Sequence, residues 1–260
     1  MLIELNCTEL GVAWRAMSLG ALPPLFTVRD RRPVADEIAA ARLMTMGLID
    51  PCGVARPDLA QAMTAFAHAV VEVDLRGTTG TGIRAAVAVA DDAAYLGVVV
   101  RGHVRFSRVP AEAALAALVA VLPAEAPARG TAISLPLADV DAAVTATLEP
   151  DAPPADPDRA LVAGLTARGV AGPDARLFAA LTGDARARLT EFGITYRTRT
   201  GARYRCAGTV HVVDTRQGRA VRYVRGAYLV TAPADGHTVV RALTDLRDAE
   251  LDRLGGNRLG

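Results

Sequence analysis

The sequence predicts an α+β fold, a central antiparallel β-sheet flanked by two helical bundles. Three observations predict it. The stretch 70–110 reads VVEVDLRGTTGTGIRAAVAVADDAAYLGVVVRGHVRFSRVP, with breaks at GTTGTG (77–82), ADDA (90–93) and RG (101–102). Short β-branched runs parted by Gly- or Asp-rich breaks form an antiparallel meander. A second set of long polar-apolar runs occupies 185–200, 203–213 and 219–231. The order of elements in the first half of the chain then recurs in the second.

The elements can be justified in order. Asn6 or Thr8 caps a first helix whose stripe is Leu10, Val12, Ala13, Trp14 and Met17. Residues 25–28 read as a short strand after Pro23 and Pro24, and RDRRP at 29–33 as a solvated loop. Pro33 opens a second helix with Ile38, Ala41, Leu43 and Met46 inward, stopped by Gly47. Pro57-Asp58 opens a third helix to His68. In the meander, Val71, Val73 and Leu75 alternate with Glu72, Asp74 and Arg76, which predicts one wet face. The run 83–90 is apolar at nearly every position, so it is a mid-sheet strand covered on both sides, and 96–100 is read as its buried neighbour. An Ala-rich helix follows Pro110, then a strand at 131–135 and a helix at 138–148. EPDAPPADP at 149–157 is a surface linker. Helices at 157–168 and 173–182 precede the late strands, and a last helix runs over 235–254 before a frayed tail.

The repeat has local support. GLIDPCGVARPDLAQAM at 47–63 resembles ARGVAGPDARLFAAL at 167–181, and RVPAEAALAALVAVL at 108–122 resembles TAPADGHTVVRALTDL at 231–246. A period of roughly 120 residues is far beyond the solenoid range of about 20–50. The 260 residues are therefore expected to form a single domain of two pseudo-symmetric halves, about 1–122 and 123–260.

Composition narrows the function. The chain is 51% hydrophobic and 22% charged, which is globular, and its net charge of +1 draws in neither nucleic acid nor an anionic membrane. With 4% aromatic residues there is no stacking platform for bases. Cys7, Cys52 and Cys206 lack CxxC spacing, which argues against a disulfide framework or zinc site. No signal-peptide pattern and no apolar run near the ~20 residues of a spanning helix is seen, so a soluble cytoplasmic protein is expected. The four histidines have no second ligand at helical spacing, and no serine sits in GxSxG. Cys206 and His211 have opposite parity on one strand and should face apart. GTTGTG is followed by a strand rather than a helix, so it is read as a hairpin connection and not a phosphate loop. No catalytic constellation, metal site or cofactor is expected. One face of the 194–205 hairpin carries Thr195, Arg197, Arg199, Arg203 and Arg205. It is either an ordinary wet sheet face or a polar binding surface.

These motifs, taken in order, resemble the EspG family, cytosolic chaperones of the type VII (ESX) secretion systems of actinobacteria. The resemblance rests on CTELGVAWRAMSLGALPPLFTV at 7–28, GLID at 47–50, ARPDLAQAM at 55–63, VEVDLR at 71–76, VPAE at 109–112 and RGVAGPDARLF at 168–178. It covers nearly the whole chain. It implies a quasi-twofold fold and a non-enzymatic role, binding the tip of a PPE-type protein in a PE–PPE pair and keeping it soluble for secretion. It also implies a contact spreading from the hairpin tip over a sheet face and the second helical bundle. The residues expected at that contact are Arg76, Gly77, Thr78, Thr79, Gly80, Thr81, Thr195, Arg197, Arg199, Arg203 and Arg205. The rival readings are an interaction or ligand-binding domain for an unrelated partner, and an enzyme with a cryptic pocket.

Overall fold

Among the described residues, ten strands join in one antiparallel sheet, and eight helices lie on its two faces. The computed structural model describes residues 2–27, 33–77, 82–90, 93–147, 156–182, 188–198 and 200–255. The strands are β1 (Leu2–Asn6), β2 (Val71–Gly77), β3 (Arg84–Ala90), β4 (Ala93–Val100), β5 (His103–Pro110), β6 (Ile133–Pro136), β7 (Arg188–Arg197), β8 (Arg203–Thr215), β9 (Gly218–Arg225) and β10 (Tyr228–Pro233). Their order across the sheet is β1-β5-β4-β3-β2-β7-β8-β9-β10-β6. Counted outward from the β2–β7 pair, the strands run β2-β3-β4-β5-β1 one way and β7-β8-β9-β10-β6 the other.

The helices are α1 (Cys7–Ala16), α2 (Pro33–Thr45), α3 (Pro57–His68), α4 (Ala114–Val119), α5 (Leu137–Thr147), α6 (Pro157–Ala167), α7 (Gly172–Thr182) and α8 (Gly236–Gly255). α1 starts where Asn6 and Glu9 form a reciprocal capping box, each side chain taking the other's backbone N–H at 2.8 Å. Gly47, with φ of +63°, ends the segment after α2, and the Leu48 N–H reaches back to the Leu43 carbonyl at 2.9 Å. Asp156 caps α6 and Asp235 caps α8 through the Arg159 and Thr238 N–H groups.

Side-chain alternation assigns the layers. Ala86 and Ala88 of β3 pack under α1 and α3, in a core with Trp14, Phe66 and Phe106. Ala85 and Val87 face the other way, into a core closed by α4 and α8 with Leu118, Val239 and Leu243. The two-sided burial expected of 83–90 is found over 85–88, while Ile83, Arg84, Val89 and Ala90 are half-buried. On the first face, α5, α6 and α7 cover the far side of the sheet around Leu165, Phe178 and Leu229. Two helical bundles thus share one face, and the middle strands β2 and β7 lie between them.

Several expectations are corrected. Residues 25–28 are not a strand: Pro24–Phe26 is a turn of 3-10 helix, and Val28 lies outside the described residues. Phe26 is held there by rings, edge-on to Phe66 and Phe106 at 5.0 and 5.6 Å, over Gly97, where a Cβ would come within 2.9 Å of its ring. A strand the sequence did not announce is β1, which forms one edge of the sheet opposite β6. In α2 the inward stripe is Ala39 and Leu43; Ile38, Ala41 and Met46 are exposed. The run 219–231 is two strands, turned at Gly226 with φ of +61°. The helix after Pro110 is shorter than expected, because β5 continues to Pro110 and a 3-10 turn precedes α4. In 96–100, Leu96 and Val99 are buried, Val98 is half-buried and Val100 is exposed as β4 nears its turn. The linker 149–157 lies outside the described residues as far as Ala155, and so does the tail from Gly256.

Burial ranks two valines on adjacent strands. Val87, fully buried, should lose about 2 kcal/mol on substitution by alanine, through lost transfer energy and an unfilled cavity. Val98→Ala should lose clearly less. Urea denaturation of both variants checks this; equal losses would contradict the layer assignment.

Candidate partner-binding site

Between the two bundles, the first face of the sheet exposes a cleft of about 420 Å³, walled on one side by Pro24 and Leu25. Its floor is the middle of the sheet, strands β2, β7 and β8. Alternation on β2 sends Glu72, Asp74 and Arg76 to this face. β7 contributes Glu191 and Thr195, and β8 contributes Arg203 and Arg205. Three carboxylates thus meet three guanidinium groups.

The acids are buried, contrary to the wet face expected of β2. Glu72 is 5% exposed and Asp74 2%. Isolated carboxylates at such depth would cost several kcal/mol, so partners are required. Arg203 donates to Glu72 at 2.8 Å, and Arg205 donates to Asp74. Arg76 lies 3.5 Å from Asp74, and Glu191 lies 3.6 Å from Arg205. Both arginines on β8 reach across the whole width of β7 to do this. Gly193 makes the crossing possible: a Cβ there would overlap the Arg205 guanidinium. The pairing of β7 with β8 shifts register between Gly193 and Thr195, at the same crossing point. Burial raises the Glu72 carboxyl above its ordinary value, and Arg203 pulls it back down.

The other expected residues divide. Thr195 lines the cleft, whereas Gly77, at the end of β2, lies with Leu75 in a small hollow on the opposite face. Arg197 is on the same face but turned to the backbone, donating to the Ala67 carbonyl at the end of α3 and to Gly201 at 3.0 Å. Thr78, Thr79, Gly80, Thr81 and Arg199 lie outside the described residues. The structure therefore gathers Arg76, Thr195, Arg203 and Arg205 at one place. It also gives Arg203 and Arg205 a structural task, holding the buried acids of β2. The missed residues are Glu72, Asp74 and Glu191. The pattern VEVDLR carried the signal, since acids opposite an Arg-rich hairpin can be paired rather than wet.

Cys206 and His211 face apart, as their parity implies. Cys206 is buried beneath α8, where burial and Glu250 push its thiol up to about 12, a protonated and unreactive state. Among the described residues, no group of three or more His, Cys, Asp or Glu is placed to hold a metal ion, and no helix is long and apolar enough to cross a membrane.

A family model described as the EspG family matches residues 6–245. No curated protein matches the chain by sequence. Among solved structures, the chain is similar to the Mycobacterium tuberculosis type VII secretion system chaperone EspG5 in complex with a PE25–PPE41 dimer. The TM-score is 0.75 at 17% identity, over 94% of this chain and 95% of that one.

The ionic seam generates two predictions. Arg205→Ala strands Asp74, so it should cost about 2 kcal/mol or more, below the ~3–5 kcal/mol of a fully buried pair because Arg205 is part-exposed and Arg76 remains nearby. Denaturant titration checks this; a loss under about 0.5 kcal/mol, the level of an ordinary surface change, would mean Arg205 is merely solvated. The second concerns pH. Because the folded Glu72 carboxyl is raised, its proton favours the fold. That contribution is full below the unfolded value near 4.5 and fades as pH rises through the folded value. Glu72→Gln should remove this slope from the stability–pH curve just above 4.5, which urea melts at stepped pH would show.

Proposed function

We propose, on the premise that this chain belongs to the EspG family, that it is a type VII secretion chaperone which binds the tip of a PPE-type protein in a PE–PPE pair. It works in the cytoplasm, holds the partner soluble until export, and catalyses no reaction. The observation that carries this reading is the family match over residues 6–245. The likeness in fold to a chaperone solved with a PE–PPE dimer supports it.

The same reading takes the chain as a single domain of two pseudo-symmetric halves, about 1–122 and 123–260, and the mirrored strand order about the β2–β7 pair supports that division. It places the partner over the central cleft and the neighbouring 77–82 connection. A specific interface needs about 800 Å² on each side, more than a hairpin tip supplies, so the contact spreads over both. In this reading the exposed Pro24 gives apolar contact at the cleft wall, while Arg76, Thr195, Arg197, Arg199, Arg203 and Arg205 form the polar rim. Arg76, with half its side chain exposed, is the rim charge most open to a partner.

Co-expression tests the reading. A PE–PPE pair from the same genome should be soluble and co-purify when this chain is present, and precipitate without it. Arg76→Glu should slow association by about tenfold at low salt while circular dichroism is unchanged, since rim charges act mainly on encounter. Failure of every such pair to co-purify would overturn the function. Unchanged association by Arg76→Glu would move the contact away from the cleft.

A further inference from the structure

A second and larger cavity, about 760 Å³, lies away from the seam, between the α5–α6–α7 layer and strands β8, β9 and β10. This is within the ~300–1,000 Å³ of small-molecule sites. Most of its lining is apolar, with Val140, Val144, Leu161, Phe178 and Val224 among the walls. Its floor is polar in one place. His211 and Arg222 are direct cross-strand partners on β8 and β9, and Thr231 is the partner of Arg222 on β10. All three side chains point to the same face, and His211 and Arg222 line the cavity.

Each member of this row is short of a partner. The Nδ1 of His211 and the Oγ1 of Thr231 are buried and make no hydrogen bond. Arg222 is half-buried, and no ion pair or hydrogen bond holds its guanidinium among the described residues. Buried polar groups are almost always satisfied, and three neighbours left open together mark a place kept for something else. Burial pulls the Arg222 guanidinium below its ordinary value. Burial, then the charge of Arg222, pulls His211 below its ordinary value. Thr209 lies 2.9 Å from Nε2 of His211; when its hydroxyl donates there, the ring proton rests on Nδ1 and that nitrogen becomes a donor. At the cavity the row then presents a planar guanidinium fork with an imidazole N–H beside it, while the Thr231 hydroxyl lies behind them, outside the lining.

We propose that this cavity binds a single-chain amphipathic carboxylate, its headgroup on Arg222 and His211 and its alkyl chain along the apolar walls. A guanidinium fork matches the two oxygens of a carboxylate. The apolar walls exclude a small hydrated anion, which would lose its water without return. The exposed Asp141 and Asp158 in the lining repel a headgroup of higher charge.

The test uses the full chain and a fluorescent probe, dansyl-undecanoic acid, with decanoic acid and decan-1-ol as competitors. Probe emission should shift to the blue on binding. The acid should displace it roughly tenfold better than the alcohol, the factor expected for a charge-assisted hydrogen bond. Arg222→Met keeps the bulk of the side chain and removes the charge. It should erase the preference for the acid, while circular dichroism and thermal melting show an intact fold. Val224→Trp, at the wall, should block the probe altogether while leaving Arg222 in place. Absence of probe binding to the native chain, equal displacement by acid and alcohol, or an undiminished preference in Arg222→Met would each overturn the proposal. Loss of PE–PPE capture in Arg222→Met, with no acid binding by the native chain, would assign the row to an acidic side chain of the protein partner and overturn it equally. Capture by the native chain is measured separately, so failure of the chaperone reading leaves this outcome distinct.

Discussion

Two carboxylates buried at the centre of the sheet constrain the rest of the molecule. Glu72 and Asp74 stand on β2, the first strand of the first meander, with only a few per cent of their surface open. Their partners Arg203 and Arg205 stand on β8, beyond β7. The pairs exist only when β2 lies against β7 in the observed register and when β7 is thin enough at Gly193 to be crossed. A slip of one residue along β2 would turn both acids into the apolar core beneath α4 and α8, at a cost no rearrangement of arginines could offset. The ionic seam thus adds little net stability but strongly disfavours other alignments of the two meanders.

Small residues complete the arrangement. β3 reads RAAVAVA, a poor strand by intrinsic propensity, yet it is central and buried on both faces. Its alanines let α3 and α4 approach from opposite sides, and the bulky side chains come from the helices and from β5. Gly97 on β4 takes the ring of Phe26 in the same way, which draws the 3-10 turn over the sheet and makes it a wall of the cleft. The cleft is therefore a product of packing between distant segments, and so is the cavity beneath α5, α6 and α7.

Local signals were read well where local physics decides them. The cap at Asn6, the Pro57 start of α3, the Gly47 stop and the Gly- and Asp-rich breaks of the meander act over a few residues. Each left a legible mark. The errors lie where neighbours far along the chain decide. Ile38 and Met46 look more apolar than Ala39, but the face of α2 turned to α1 is the alanine face. Leu25 and Phe26 have strand-like character, yet three rings and a glycine hold them in a turn. The acids of VEVDLR look solvated until arginines more than a hundred residues away are brought across β7.

The sequence by itself determined the class of fold, the meanders, most helix limits and the family, because capping, turn chemistry and apolar periodicity are short-range and survive in the order of residues. Tertiary structure alone decided which polar faces are wet. Alternation gives the side of a strand on which a charge stands, but not what covers that side. Glu72, Asp74, Arg205 and Arg222 have the same kind of sequence environment, charged residues alternating with apolar ones. The first three became a paired seam and the last an unpaired group over a cavity, because charge burial is set by which helix, or which open space, lies above the strand.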